Sequence, residues 1–154
     1  MASNIEIVVL SILASMGFAI VFQIEKKDII WAGIGGGVTR IFYLIFTACI
    51  PYRIVYAAMA AFVAALYAEF MSGSKHTPAT YYLYPSIIPL IPGDLFYYMC
   101  AGLMLQDSKM FAENATQCIL ALVGLGVGFV VCSSVSHFIR IRKLAGGGKS
   151  YTQQ

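Results

Sequence analysis

One arginine stands alone in an apolar stretch. Arg40 lies in the run 29–50, which holds no other charge. A cation near the middle of a membrane-spanning helix costs roughly 2.5–3.5 kcal/mol on insertion scales. It is kept where it faces a protein partner or an anionic ligand. A second irregularity, Pro85-Ser86-Ile87-Ile88-Pro89-Leu90-Ile91-Pro92-Gly93-Asp94, interrupts another apolar run. Pro89 and Pro92 have no N–H to donate, and Gly93 weakens a helix. The run should split near 91–93 into an inner and an outer half, the outer half starting at Asp94. Its first N–H groups lack helical acceptors, and irregular backbone at membrane depth persists only inside protein or beside a cavity. A helix start and a buried guanidinium are both anion-binding elements. The pattern predicts a transport site for an anionic group, formed by Arg40, Gly36, Gly37, Pro92, Gly93 and Asp94. Asp94 would meet an amino group or carry a coupling proton, with Glu69 a further coupling candidate. The plainer alternative is a proline kink with Asp94 as its N-cap.

These residues need helices to carry them. Of 154 residues, 60% are hydrophobic and only 11% charged, against about 25% charged in soluble domains. An all-α integral membrane protein follows. A spanning helix takes about 20 apolar residues. Five runs qualify: 5–24, 29–50, 54–71, 82–105 with the break inside it, and 115–138. The expectation is one five-helix membrane domain over 1–144 and a flexible cytoplasmic tail over 145–154. No basic region precedes the first run, so it should persist as a helix rather than be cleaved as a signal. The small net charge of +3 argues for topology, not nucleic-acid binding. Cys49, Cys100, Cys118 and Cys132 lack metal-ligand spacing and read as small buried hydrophobes.

Orientation follows from the basic residues. With the N-terminus outside and the C-terminus inside, Lys26, Lys27, Lys75, Arg140, Arg142, Lys143 and Lys149 are cytoplasmic, and Arg53 and Lys109 are external. That is seven against two, and the opposite orientation reverses it. Tyr81, Tyr82 and Tyr84 then form an inner interfacial belt, Tyr52 and Tyr56 an outer one, and His137 is interfacial. Arg40 is about ten residues into its span, roughly 15 Å at 1.5 Å per residue. Asp94 is about twelve residues in. Both belong near the midplane, whereas Glu69 is close to the cytoplasmic end.

Small residues mark helix faces. Gly33, Gly36, Gly37 and Arg40 form one stripe on the second helix. Alanines including Ala58, Ala61 and Ala65 line the third and lead to Glu69. Gly124 and Gly128 lie four apart on the fifth. Such faces let backbones approach closely. Their number predicts a partner subunit or a homo-oligomer.

Three segments resemble the small component of the threonine/serine exporter (ThrE-like) family: Gly17-Phe18-Ala19-Ile20-Val21-Phe22, Gly33-Ile34-Gly35-Gly36-Gly37-Val38-Thr39-Arg40 and Ile88-Pro89-Leu90-Ile91-Pro92-Gly93. Their order and spacing agree over roughly residues 15–140. The resemblance implies a multi-pass protein of the bacterial inner membrane that exports threonine, serine or related small carboxylates. It also implies a ten-helix unit, in which a five-helix chain pairs with a larger ThrE-like subunit. Asp94 departs from the small or apolar residue that the family pattern implies after the Pro-Gly pair. A structural subunit whose partner holds the substrate site is the alternative. An enzyme is not expected, because paired acids, a Ser/His/Asp set and a metal cluster are all missing from the sequence. No cofactor is implied.

Overall fold

A computed structural model describes residues 4–147, and the side chains of these except for 137 and from 139 onward. The helices are α1 (Asn4–Val21), α2 (Lys26–Cys49), α3 (Arg53–Lys75), α4 (Thr80–Ile87), α5 (Gly93–Met104) and α6 (Ser108–Gly147), with a 3-10 turn at Ile88–Leu90 between α4 and α5. Four of them are long and apolar enough to cross a membrane, and α4 with its 3-10 turn joins α5 as a fifth candidate span bent by 51°. This is the expected all-α membrane architecture.

The first four spans begin and end within about a turn of the apolar runs. The last is longer. Its start is set by a cap rather than by hydrophobicity: Asp107 Oδ1 accepts the N–H groups of Lys109 at 3.1 Å and Met110 at 3.0 Å, satisfying donors that the helix cannot. At its far end the backbone stays helical to Gly147. Residues 148–154, which include Lys149 and most of the expected tail, lie outside the described residues. So do the side chains of His137, Arg140, Arg142 and Lys143.

α3 packs against α2, α4 and α6. α1 packs against α2 and α4, and α5 packs against α6 alone among the described helices. The small-residue faces explain these pairings. A Cβ on Gly37 would lie 2.7 Å from Ile12 Cγ1, and one on Gly36 2.6 Å from Ser15 Cβ, so the α2 stripe seats α1. Cβ atoms on Gly124 and Gly128 would lie 2.9 Å and 2.8 Å from the Cβ atoms of Ala57 and Ala61, so the α6 stripe seats α3. The stripes are therefore filled within one chain and do not of themselves call for a second. Tyr82 also departs from expectation. It is fully buried against Ala68 and Met71 rather than set in an interfacial belt.

The break forms as the prolines dictate, and its freed carbonyls are taken by side chains. Pro89 has no N–H for Pro85 O, and Ser15 Oγ of α1 donates to that oxygen at 2.8 Å. The Gly93 N–H turns back to Ile91 O at 2.8 Å, and Arg40 Nη1 donates to Pro89 O at 3.0 Å. The Thr39 hydroxyl has Ser86 O at 2.9 Å and its own helix's Gly35 O at 3.0 Å. Proline removes a donor at known positions, and α1 and α2 supply hydroxyls and a guanidinium to match.

Candidate functional site

Arg40 lies just past the midpoint of the 24-residue α2. It is carried there by the glycine stripe that presses α2 onto α1. Its side chain lines a cavity of about 670 Å³, walled by α1 (Ser11, Ala14), α2 (Arg40, Tyr43), α3 (Arg53, Tyr56) and the broken segment 88–94. The half-buried guanidinium bonds to Pro89 O, and its Cζ lies 5.2 Å from the centroid of the Tyr43 ring. Its Nε is buried without a hydrogen-bond partner. One donor thus anchors the side chain and another is unspent.

Arg53 repeats the arrangement from the start of α3. Its Cζ lies 5.8 Å from the Tyr56 ring centroid. Tyr43 and Tyr56 meet edge to face at 5.4 Å. Two guanidiniums therefore rest on one pair of aromatic rings, an arrangement that supports cations in low dielectric.

Asp94 lines the same cavity from the first turn of α5. It is exposed, makes no side-chain cap bond, and forms no ion pair with Arg40 among the described residues. Of the first N–H groups of α5, Gly93 bonds to Ile91 O and Phe96 to Pro92 O at 3.1 Å. Those of Asp94 and Leu95 have no backbone acceptor among the described residues. A Cβ on Gly93 would meet nothing within 4 Å, so the helix start opens into space. Two arginines, one aspartate and a free helix start leave an excess of positive charge, suited to an anion with room for an ammonium group beside Asp94.

The structure brings Arg40, Pro92, Gly93 and Asp94 together. Gly36 and Gly37 stand one turn away, pressed against Ser15 and Ile12, and do not line the cavity. Glu69 is also elsewhere. It is half-buried near the other end of α3, close enough to Cys132 of α6 to act on it electrostatically. Sequence reasoning missed Arg53, Tyr43 and Tyr56, because Arg53 read as an external charge and Tyr56 as an interfacial residue, and Tyr43 is one aromatic among many in an apolar run. Helical spacing was an available signal, since Tyr56 follows Arg53 by three residues as Tyr43 follows Arg40. The reading also missed Asp28, which is fully buried.

A family model described as "Threonine/Serine exporter, ThrE" matches residues 7–135. No curated protein and no solved structure matches the chain.

Proposed function

The chain belongs to the threonine/serine exporter (ThrE) family, and on that premise we propose that its cavity holds the exported solute. The solute is threonine, serine or a related small carboxylate. Its carboxylate sits between the Arg40 guanidinium and the free N–H groups of Asp94 and Leu95. Asp94 meets the ammonium group of an amino acid. Arg53, stacked on Tyr56 at the start of α3, is a second cationic station toward the end of the cavity nearest the N-terminus of α1. With the N-terminus outside, as the basic residues favour, that end faces away from the cytoplasm. The chain then works as an inner-membrane export component, paired with a larger ThrE-like subunit or with copies of itself.

The observation that carries this reading is the convergence of Arg40, Arg53 and Asp94 on one cavity at the break. A different observation supports the alternative of a structural subunit: Arg40 already bonds to Pro89 O, which would suffice for a residue that only braces the break. Export of labelled threonine, serine and dicarboxylates from cells expressing the chain, with and without a candidate large partner, separates the two. A transport site makes substrate selectivity change with substitutions at Arg40 and Asp94. A brace leaves selectivity alone.

A further inference from the structure

Asp28 lies in the first turn of α2, is 0% exposed, and has no hydrogen-bond partner for either carboxylate oxygen among the described residues. Its surroundings are apolar on one side, where Ala19, Ile24 and Ala32 cluster. On the other is the buried Tyr82 of α4. The Tyr82 hydroxyl accepts from Thr77 Oγ1 at 3.0 Å, which leaves its own proton to give. The Asp28 carboxyl lies near enough to act on that hydroxyl.

Among the described side chains, no cation forms an ion pair with this carboxylate. Lys27, in the same turn, points into solvent and pairs with Glu25 at 2.7 Å. From α3, Lys75 lies over the Trp31 ring at 4.8 Å, and Tyr67 gives its hydroxyl to Trp31 O at 2.6 Å. The one acid of α1, Glu6, is at that helix's other end. The positive start of α2 favours an anion here, but a fully buried carboxylate with only a tyrosine hydroxyl beside it among the described residues is costly. A small cation would supply the partner that the described residues do not.

Asp28 is also connected to the cavity. The buried polar residues among those described are Ser11, Ser15, Asp28, Thr39 and Ser86. Ser86 Oγ donates to Tyr82 O at 2.7 Å. Thr39 reaches Ser86 O, Ser15 reaches Pro85 O, and Arg40 reaches Pro89 O. One face of α4 and its 3-10 turn is thus tied to α1 and α2 from Pro85 to Pro89, and Tyr82 of the same helix lies beside Asp28. Asp28 sits at one end of this seam and the cavity at the other.

We infer that Asp28 is the carboxylate that binds the exporter's driving cation, a small monovalent ion. The inference rests on the reading that the Arg40 cavity holds the solute. Cation on Asp28 stabilises the closed seam. Its departure leaves a bare buried charge that draws water in and opens the seam, so occupancy of one end biases the other. A proton and a sodium ion share this chemistry.

The test uses the chain with whatever subunit copurifies, reconstituted in liposomes. Labelled threonine is followed in two modes: counterflow without an ion gradient, and transport driven by an imposed pH or sodium gradient. Whichever gradient drives the wild type identifies the cation. Asp28→Asn should keep counterflow, while driven transport relative to counterflow falls roughly 5- to 150-fold, the range of coupling between linked sites. Asp28→Glu should keep counterflow and shift the cation concentration that half-saturates driven transport. An Asp28→Asn protein that still responds to the gradient overturns the inference. So does a wild type that responds to neither gradient, an Asp28→Glu protein with no shift, or loss of counterflow in both variants. A failure of the cavity reading shows separately, as normal counterflow in Arg40→Ala.

Discussion

Gly36→Ala tests how the break is held. The added methyl would run into Ser15 Oγ and come within 2.6 Å of Ser15 Cβ and 3.2 Å of the backbone oxygen of Ser11. Ser15 Oγ is the donor that satisfies Pro85 O, the carbonyl freed by Pro89. Overpacking a tight contact costs about 1–3 kcal/mol. Turning the hydroxyl away leaves a buried carbonyl unpaired, about 1–3 kcal/mol more. With partial relaxation of α1 against α2, the expected loss is about 2–4 kcal/mol. Reversible unfolding with SDS in mixed micelles reads this out. Gly126→Ala is the control, because nothing lies within 4 Å of a Cβ there, and helix propensity should make it about 0–1 kcal/mol more stable. Adding Ser15→Gly to Gly36→Ala removes the clash but not the unpaired carbonyl, so only the packing part should return. A Gly36→Ala protein as stable as Gly126→Ala would refute the reasoning about the seam.

Arg40→Lys should insert and fold but export poorly, since an ammonium cannot both bond to Pro89 O and offer a planar fork to a carboxylate; transport rates at equal membrane abundance check this. Asp94→Asn should change unfolding stability by no more than about 0.5 kcal/mol, because the side chain is exposed and caps nothing. In uptake competition it should weaken amino acids relative to simple carboxylates. Cysteine labelling of intact cells should find residue 109 exposed and residue 149 protected, and the reverse pattern would invert the topology.

Much of the membrane fold was readable because burial in lipid leaves few options: apolar length gives the spans, and missing proline donors place the break. Arg40 and Asp94 were legible for the same reason, each being a polar group where the surroundings forbid one. The roles of Gly36 and Gly37 were not. A small residue signals close approach without saying whether a helix or a ligand approaches, and here Ser15 and Ile12 fill the space. Arg53 and Asp28 were hidden by position, since both lie at helix starts, where charge is ordinary. Only the fold shows that one faces a cavity and the other is sealed under Tyr82. The start of α6 was missed because Asp107 caps a polar first turn that hydrophobicity ignores.

The central claim is that the Arg40 cavity binds the exported carboxylate. Export of labelled threonine and serine by wild type and Arg40→Ala, at matched insertion and with the same partner subunit present, tests it most directly. Removing a charge that pairs with a ligand in a desolvated site costs about 2–5 kcal/mol, so export should fall roughly 30-fold or more while the protein still inserts. Export by Arg40→Ala at the wild-type rate and with wild-type pH dependence would contradict the account and leave Arg40 as a brace for the broken helix.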